Sequence, residues 1–594
     1  MGYAGGYFEG RTYFTPGTRG KFKAKADAQG SNIDWNTQVL IGPADNGFYV
    51  NDPNLTFEEK VMRFTAFVDA KTALGTGIAV DAIRGIFSPS KDARFSSGPQ
   101  LLKYLCISPN VKAQALFTNT GTGTYPLKAV IPGINGNNIR MKVISPDSIS
   151  IGDGSTNPTT ISGLDKIDLN VKYIGNGTTC QLALSTTTLT VTLLGASDGS
   201  LPFTVNLAET PTIGELIKRI NSKQGYVATL KTQPDLLCAN FDSIVTPISI
   251  IGLGVDIKST LFRQDNFINN SGLASLVITG NRFPLIATAA FVYLTGGAVG
   301  VWTNTDYINA IEFSKQVSGL YRNVCSNNTA VTAALADCVA YMNSPDGESE
   351  TFGGAGADQT LALDARIDQG KAVDSEYMVY GVSPVRNYLS DGLTQFTYDG
   401  WYLAALHNAC KAATNPRETV TYKDLNIILC TEIYSKDEKD RMVQGGVLFV
   451  DKKANDGAWK VNFALTTYQA ANQIYNQAST ITTALAMVNH LRNALTARFL
   501  GEVPTDPTTE GTTFTDADIR VFVDSVFKDD FIKKYGWLSK NIYTGEAAFD
   551  ENYSIRRDGD KIYFIFPDGK IVSPINMMFF LLNLSTISGT TTGA

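Results

Sequence analysis

Two histidines, His407 and His490, are the only imidazoles in this 594-residue chain, and imidazole is the usual general base near neutral pH. Both occur in stretches of helical character, Leu406 to Ala409 and Met487 to Leu491. Neither has a second histidine, a cysteine or a carboxylate at the spacing of metal ligands. We therefore expect both rings to pack on helices or cap them, and we expect neither a metal site nor a cofactor.

One pentapeptide, Gly195 to Gly199, matches the Gly-x-Ser-x-Gly pattern of a hydrolase nucleophile elbow. That elbow needs a strand-to-helix turn, whereas Asp198-Gly199 is a hairpin turn pair between β-like segments. Two other glycine patterns are incomplete. Gly75 to Gly77 has two of the three glycines of a dinucleotide fingerprint, and Gly17 to Lys21 lacks the first glycine and the Ser/Thr of a phosphate loop. No catalytic or cofactor-binding residue is predicted.

The overall charge argues against a nucleic-acid partner. Lys plus Arg is 50 and Asp plus Glu is 56, so the net charge is -6 and no basic excess can neutralise phosphates. Charged residues make up 18%, below the roughly 25% of ordinary soluble domains, which suggests that something other than water covers part of the surface. The run Lys436 to Arg441 alternates in sign and predicts a solvated helix face, with a charged docking surface as the alternative.

Seven cysteines are spread along the chain without a Cys-x-x-Cys pair, which predicts buried thiols in a protein made in a reducing compartment. The first residues lack the basic and apolar regions of a secretion signal. The longest apolar run, Met577 to Leu582, is far shorter than the roughly 20 residues that cross a bilayer. We expect a soluble protein without membrane insertion, made in the cytosol.

Changes in pattern along the chain predict a modular organisation. A glycine- and aromatic-rich start without periodicity indicates an arm, and Thr/Val-rich alternating segments around one helix, Thr212 to Ser222, indicate a separate β-rich domain. The predicted units are an N-terminal arm (1–30), the first part of an α/β frame (31–160), an inserted β-rich domain (161–235), an α/β domain (236–430), a C-terminal α+β domain (431–584) and a flexible tail (585–594).

Individual elements are predicted from apolar spacing and turn residues. They are a buried strand within Thr37 to Val50, a helix over Phe57 to Leu74, a buried strand over Phe291 to Thr295, a helix over Asp306 to Tyr321, a long helix over Ala464 to Leu500, an amphipathic helix from Thr515 with Ile519, Phe522, Val523, Val526 and Phe527 on one face, and a short β-meander over Tyr553 to Ser573.

Two glycine-containing patterns are more informative than the catalytic ones. Pro132 to Ile139 reads Pro-Gly-Ile-Asn-Gly-Asn-Asn-Ile, and Leu294 to Gly300 is followed by Thr303-Asn304-Thr305-Asp306-Tyr307. Glycines permit positive φ at sharp turns, and Thr or Asp caps a helix. The two patterns resemble the Gly-x-x-Gly-Asn-x-Ile loop and the Leu-x-Gly-Gly strand end with a Thr-x-x-Asp-Tyr helix start of contractile tail sheath proteins of bacteriophages. The matching residues are Gly133, Gly136, Asn137, Ile139, Gly296, Gly297, Asp306 and Tyr307.

The resemblance extends to the order of parts over nearly the whole chain. It implies a subtilisin-like α/β core without catalytic residues, an inserted β-rich domain, an α+β C-terminal domain and extended terminal arms. Tyr398 to Leu406, the stretch corresponding to the family's catalytically inactive site, offers no serine at the helix start. The ending, Met577 to Leu584 plus a Thr/Gly tail, departs from the shorter and more common sheath ending.

The function implied by the resemblance is structural, and the protein is expected not to be an enzyme. Subunits of such a sheath stack as hexameric rings around a tail tube, between baseplate and tail terminator proteins, in a virion tail assembled in the host bacterial cytoplasm. Contraction would drive the tube through the host envelope for genome ejection. Each subunit would exchange one set of neighbour contacts for another of lower free energy.

Terminal arms are expected to keep neighbours attached during contraction by adding strands to adjacent subunits. The candidate arm residues are Tyr7, Tyr13, Phe14, Phe22, Tyr563, Ile565 and Ile571. Contacts to the tube are expected from a C-terminal helix carrying Lys528, Lys533 and Lys534, since a sliding interface should avoid large apolar burial. An ordinary amphipathic helix with a wet face is the alternative.

Three other functions stay open at this point. One is a subunit of a phage-related contractile injection particle. Another is a serine hydrolase on the α/β frame, which would need a serine, a histidine and an acid to converge. The third is a static surface-layer or adhesin protein, which the Gly, Thr and Asn content favours but which would normally carry an export signal.

Overall fold

The computed structural model describes residues 6–8, 11–13, 34–154, 157–344, 347, 349–452, 457–470, 475–499, 516–540, 545–551, 553–558, 561–565 and 570–571. The strands, in chain order, are β1 (Gly6–Phe8), β2 (Arg11–Tyr13), β3 (Thr37–Gly42), β4 (Met62–Phe64), β5 (Leu101–Cys106), β6 (Gln114–Thr118), β7 (Thr124–Ala129), β8 (Arg140–Ser145), β9 (Ser148–Gly152), β10 (Thr159–Ile161), β11 (Ile167–Tyr173), β12 (Thr179–Leu184), β13 (Thr188–Leu194), β14 (Phe203–Asn206), β15 (Tyr226–Leu230), β16 (Ile244–Ser249), β17 (Val255–Lys258), β18 (Ala274–Leu276), β19 (Val292–Tyr293), β20 (Tyr321–Val324), β21 (Phe352–Gly356), β22 (Met378–Gly381), β23 (Val385–Tyr388), β24 (Gln395–Tyr398), β25 (Leu429–Cys430), β26 (Val450–Lys452), β27 (Trp459–Val461), β28 (Ser554–Asp558) and β29 (Lys561–Ile565).

The helices are α1 (Phe57–Lys60), α2 (Phe67–Leu74), α3 (Ile78–Ile86), α4 (Ile213–Asn221), α5 (Thr260–Asn270), α6 (Asn304–Ser314), α7 (Thr329–Met342), α8 (Leu363–Val373), α9 (Gly400–Ala412), α10 (Lys436–Gln444), α11 (Ala478–Phe499) and α12 (Asp516–Ser525). A π-helix, Val526–Lys534, continues α12. Short 3-10 turns occur at Asp34–Asn36, Ile134–Asn138 and Cys238–Asn240.

A six-stranded sheet in the order β22-β21-β20-β3-β5-β4 forms the centre of the protein. Its strands are parallel except the edge strand β4, which runs antiparallel to β5. The helices α3, α6, α7 and α9 pack against it, and every residue of α9 is buried. A parallel sheet needs such cover because both of its faces are apolar. We call this sheet and its helices the frame.

Two β units are inserted one inside the other between β5 and α6 of the frame. The proximal unit contains the sheets β18-β7-β6 and β10-β9-β8-β19 around one core, with α5 packed into it. The distal unit contains the sheets β15-β11-β17 and β14-β13-β12-β16 around a second core. It spans 167–258 and interrupts the proximal unit, so one strand of each proximal sheet, β18 or β19, follows it in sequence.

The observed units differ in extent from the predicted 161–235 insertion. Strands β16 and β17 lie after residue 235 yet pair with β12 and β11 of the distal unit. The strands β6 to β10 lie within residues 114–161 and belong to the proximal unit rather than to the sheet of the frame. Long-range pairing, of β18 with β7 and of β19 with β8, sets these limits, and local composition does not reveal such pairing.

Helix α4 in the distal unit agrees with its predicted limits. Thr212 caps it, with the hydroxyl accepting from the Glu215 N–H and the Glu215 carboxylate accepting from the Thr212 N–H, which satisfies two orphan donors. Ile213, Leu216 and Ile220 are buried along one face. The loop Gly195 to Gly199 connects two strands of the same unit, so the Gly-x-Ser-x-Gly match lies on no strand-to-helix turn.

Several predicted elements are wrong in extent or type. The segment 57–74 contains the short helices α1 and α2 with the edge strand β4 between them, because Met62 to Phe64 pairs with β5. The predicted buried strand at 291–295 is only the two-residue strand β19, and Tyr293 is half exposed. The helix predicted from Asp306 begins at Asn304 and ends at Ser314, and the long helix predicted from Ala464 begins at Ala478.

The C-terminal unit consists of α12, the π-helix and the second half of α11 around an aromatic core. The predicted stripe faces inward: Ile519, Val523, Val526 and Phe527 are buried, and Phe522 packs beside them. The predicted cap Thr515 lies outside the described residues. Of the predicted meander, the hairpin of β28 and β29 is observed, and Ile571 forms an isolated bridge with Leu538.

All seven cysteines are free and buried, as the sequence predicted. The alternating run Lys436 to Arg441 begins α10, whose first turn Ser435 and Glu438 cap reciprocally. Among the described residues, no helix is both long enough and apolar enough to span a bilayer.

Lys411, in the buried helix α9, connects the frame to the C-terminal unit. Its Nζ donates to the carbonyl oxygens of Pro416 and Glu418, each at 2.5 Å. The same loop contacts the C-terminal unit, since Asn415 Nδ2 donates to the Tyr535 carbonyl at 2.9 Å and Trp537 Nε1 donates to Asn415 Oδ1 at 2.6 Å. Burial lowers the pKa of Lys411 to about 7, although the negative charge of Glu418 acts in the opposite direction.

This lysine should make stability depend on pH above neutrality. Between pH 7 and 8.5 the unfolded lysine keeps its proton and the folded one releases it, so Lys411 should raise the free energy of unfolding by up to about 1.4 kcal/mol per pH unit. Lys411→Met should lose this increment, whereas Lys218→Met on the exposed face of α4 should retain it. Urea denaturation at several pH values measures both, and parallel pH dependences for wild type and Lys411→Met would contradict the assignment.

Candidate functional site

The two sequence motifs lie 160 residues apart in the chain and meet in space. Asn137 Nδ2 donates to the Gly297 carbonyl at 2.8 Å, and the Gly297 N–H donates to Asn137 Oδ1 at 2.9 Å. The side-chain amide thus pairs with the backbone of the second motif through both of its polar atoms. Nearby, the Leu294 N–H donates to the Ile139 carbonyl at 2.9 Å, so the two motifs are hydrogen-bonded to each other at two neighbouring places.

The first motif also contacts the frame, through the chain that leaves strand β3. Asn46 is almost fully buried, its Oδ1 accepts from the Asn135 N–H at 2.9 Å, and its Nδ2 donates to the Leu74 carbonyl at 3.0 Å. Gly133 forms a bridge with Asn46 at φ +127°, and a Cβ there would lie 2.3 Å from Asn46 Oδ1 and from the Asp45 carbonyl oxygen. Only glycine fits at this approach.

The second motif reaches the same segment of the frame through α6. Thr303 caps this helix, and its N–H donates to Asp306 Oδ2 at 2.7 Å. The Tyr49 hydroxyl donates to the Asp306 carboxylate, and Asn51 Nδ2 donates to the Asp306 carbonyl at 3.0 Å. Burial alone would raise the pKa of Asp306, but the hydrogen bonds from Tyr49 and Thr303 outweigh it and lower the pKa below its usual value.

Tyr307 completes the contact on the frame side. It is buried, and its hydroxyl donates to the carbonyl of Cys325, the residue that follows β20. Because residues 44–51 follow β3 and Cys325 follows β20, the motifs attach at the carboxyl ends of the two central strands. The matched residues therefore form a joint between the frame and the proximal β unit, which we call the motif joint. The polar groups described here bond to backbone groups or to one another, as suits a structural role.

Sequence reasoning missed three of the residues that build this joint. Asn46, Tyr49 and Asn51 belong to neither of the two motifs, so the sequence pattern assigns them no role. The pair Gly75 to Gly77, considered as part of a dinucleotide fingerprint, also contributes here, because the Thr76 carbonyl accepts from the Asp45 N–H at 2.9 Å. The sequence does contain one signal for this joint, the density of Asn and Gly in 44–51. That composition is typical of an ordinary turn as well, so it does not distinguish a turn from a contact between two units.

Neither imidazole is arranged for general-base chemistry. His407 is fully buried in α9, its Nδ1 pairs with Asn408 Oδ1 at 3.0 Å, and burial lowers its pKa to about 4. His490 Nε2 pairs with Asp530 Oδ2 at 2.7 Å inside the aromatic core of the C-terminal unit. Their hydrogen bonds therefore go to an amide and a carboxylate. Within the described part of the chain, no three His, Cys, Asp or Glu side chains cluster as metal ligands.

The three lysines predicted to face a tube lie on the π-helix and are all partnered. Lys528 pairs with Glu551 at 3.2 Å and Lys533 with Asp529 at 2.8 Å, while Lys534 lies over the Tyr535 ring at 4.8 Å. Lys533 is about three-quarters exposed. The surface is thus polar and charge-balanced, and a facing partner remains a prediction.

The candidate arm residues fall on two hairpins and on undescribed chain. Tyr7 lies on β1 and Tyr13 on β2, which pair with each other, and Tyr563 and Ile565 lie on β29, which pairs with β28. Phe14 and Phe22 lie outside the described residues. Ile571 packs on the aromatic core of its own C-terminal unit. The described backbone therefore places four of these residues on two-stranded sheets.

Comparisons with known proteins bear on the family resemblance. No family model matches the chain. The tail sheath protein of Bacillus phage SP01 is 24% identical over 526 residues, which cover 83% of this chain and 85% of that protein. The sheath tail protein of Listeria innocua superimposes with a TM-score of 0.52 at 12% identity, covering 89% of this chain and 94% of that one.

The resemblance to tail sheath proteins is confirmed. A second solved sheath tail protein, from Desulfitobacterium hafniense, matches with a TM-score of 0.47 at 12% identity over 93% of this chain and 97% of that one. At 12% identity the Listeria structure is evidence for the fold only, and that fold agrees with the mixed α/β architecture described above. The motif joint is the part of this architecture to which the sequence resemblance pointed.

The motif joint yields a prediction with an internal control. Gly133→Ala should lower the free energy of unfolding by about 2 kcal/mol or more, because the new Cβ would overlap two oxygens and the positive φ would be strained. Gly296→Ala should cost only about 1 kcal/mol, since Gly296 has φ +80° but no atom within 4 Å of a Cβ. Denaturant melts of both variants compare them, and equal losses would mean that close approach does not matter at Gly133.

Proposed function

We propose that this protein is the structural subunit of a contractile phage tail sheath, which polymerises around a tail tube and shortens to drive that tube through a host envelope. The observation that carries this proposal is the similarity to a curated phage tail sheath protein along most of both chains. The fold match to a solved sheath tail protein supports it independently. The motif joint supports the proposal as well, because the residues that match the sheath motifs connect the frame to the proximal unit and have a structural role.

Separate cores favour a subunit that moves as a few stiff bodies. The frame, the proximal unit and the distal unit each have their own apolar cluster. Close-packed cores transmit displacement with little internal deformation. In a lattice that exchanges one set of neighbour contacts for another, such bodies would rotate while their internal contacts stay intact.

The frame is proposed to be subtilisin-like and catalytically inactive. Its largely parallel sheet with a fully buried helix α9 supports the first part. In support of the second part, α9 begins at Gly400 with Asp399 as its cap, and the first turn contains Trp401 and Tyr402 in place of a serine. Asp399 is engaged structurally, since it accepts from the Gln359 N–H at 3.0 Å and from Asn327 Nδ2 at 3.1 Å.

Terminal hairpins are proposed to act as couplings between neighbouring subunits. The hairpins β1-β2 and β28-β29 are two-stranded sheets, so each strand has one partner and one free edge within the described structure. A free edge can accept a strand from another chain, and main-chain hydrogen bonds tolerate rotation of the bodies that they join. The tube itself would be contacted through the charge-balanced surface around Lys533.

Electron microscopy tests the proposed function directly. The purified full-length protein, alone or with a tube protein, should form long hollow cylinders, because a sheath subunit contains its own lattice contacts. A variant lacking residues 1–33 should fold, as judged by circular dichroism and thermal melting, but should give short or no cylinders. Dispersed monomers under all conditions, with or without tubes, would contradict the proposal.

The tube-facing surface has its own test. The double variant Lys533→Glu and Lys534→Glu should weaken assembly on tubes more at low salt than at high salt, because exposed charge pairs are screened as ionic strength rises. Lys218→Glu together with Arg219→Glu, on the exposed face of α4, provides a control with the same charge change at another site. Sedimentation of tube-bound protein measures the effect, and equal binding by both variants would place the tube elsewhere.

A further inference from the structure

A groove crosses the frame along residues 427–431. Two cavities of about 580 Å³ and about 570 Å³ share Lys91, Ile427 and Ile428 in their walls, so they lie side by side, and we call the two together the groove. One wall comes from the end of α3 and the chain after it, and the other comes from β23 and the hairpin of β26 and β27. This groove is separate from the motif joint and from the tube-facing surface.

The groove is electropositive in a protein whose net charge is negative. Its described walls contain Arg84, Lys91, Arg386 and Lys452 and no carboxylate. Within the described residues, none of these four cations forms an ion pair. Low-dielectric walls lined by one sign of charge concentrate the field, so the groove favours a ligand that carries several separated negative charges.

Aromatic rings and a sheet edge shape the groove for an extended chain. Arg84 lies over the Tyr388 ring at 5.4 Å and Lys452 over the Trp459 ring at 5.9 Å. The strand β25 is an edge strand of the sheet β24-β23-β25 and lies along the groove. Aromatic-lined grooves bind proline-containing segments, and edge strands offer backbone donors and acceptors to an extended peptide.

We propose that this groove binds residues 501–515 of the chain itself, which we call the acidic segment. It contains Glu502, Asp506 and Glu510 at regular spacing, and no Lys or Arg occurs between Arg498 and Arg520. Pro504 and Pro507 lie between the acids. The separated carboxylates of the segment can pair with the four cations of the groove. Its prolines can pack against the aromatic rings of the groove walls.

Another acid-rich stretch, residues 346–350, is less suitable. It includes Glu350, which is almost fully buried and pairs with Arg492 at 2.5 Å. Its carboxylate is thus already used to connect the frame with α11. The proposed binding does not depend on the proposed sheath function.

A labelled peptide tests the groove on unassembled protein. The host protein carries Glu502→Gln, Asp506→Asn and Glu510→Gln, so that its own segment does not compete. A fluorescein-labelled peptide of residues 501–515 should bind this host in an anisotropy titration. Lys91→Gln with Lys452→Gln should weaken binding at least tenfold, while Lys218→Gln with Arg219→Gln should not change it. All four positions are exposed, so the fold should be kept.

Three results would overturn the proposal. The first is equal affinity of the groove variant and the control variant. The second is equal affinity of a peptide in which the three acids are replaced by their amides. The third is displacement of the peptide by inorganic polyphosphate at the same charge concentration, which would indicate a general anion surface.

Cross-linking in the intact chain provides an independent measurement. Because the seven native cysteines are buried, cysteines introduced by Asp506→Cys and Lys452→Cys should be the reactive thiols. Mild oxidation should join them, and mass spectrometry of the cross-linked peptide identifies the bond. Asp506→Cys with Lys218→Cys serves as the control pair, and equal cross-linking of both pairs would contradict the proposal.

Discussion

The pairing of Asn137 with the backbone of Gly297 is the contact on which the arrangement of this protein depends. It joins the turn between β7 and β8 to the chain that follows β19, and the whole distal unit lies between these two points in the sequence. Asn46 connects the same point to the chain leaving β3. Asn110 adds hydrogen bonds from the chain after β5 to the Ala44 and Gly47 carbonyls, so the joint and its neighbours together restrict the orientation of the proximal unit on the frame.

The joint is built from side-chain amides and glycines for a physical reason. An amide offers a donor and an acceptor at fixed geometry and stays neutral at any physiological pH. Glycine at Gly133 permits a backbone approach that any Cβ would block. At the helix start the Asp306 carboxylate accepts from the cap and from Tyr49, and these hydrogen bonds lower its pKa. The pairing of Asn137 and Asn46 with backbone groups therefore involves no group that titrates near neutral pH.

A second connection, between the frame and the C-terminal unit, is made by apolar packing and a buried amine rather than by amides and glycines. Helix α11 packs its first turns on the central sheet and its later turns on the aromatic core of the C-terminal unit. Beside it, the buried amine of Lys411 holds the loop that contacts Tyr535 and Trp537. A buried amine is costly to keep charged, so this connection, unlike the motif joint, responds to pH near neutrality.

The sequence by itself determined the local features: the buried strand β3, the capped helix α4, the buried thiols, and the two motifs whose resemblance to tail sheath proteins is confirmed. Each of these is encoded within a few neighbouring residues, as periodicity, capping or turn chemistry. Tertiary structure alone decided which strands pair across the insertions, why Met62 to Phe64 is an edge strand inside a helical pattern, and that Asn46 is a buried link. Those outcomes depend on partners more than 25 residues away in the chain, and no local pattern specifies them.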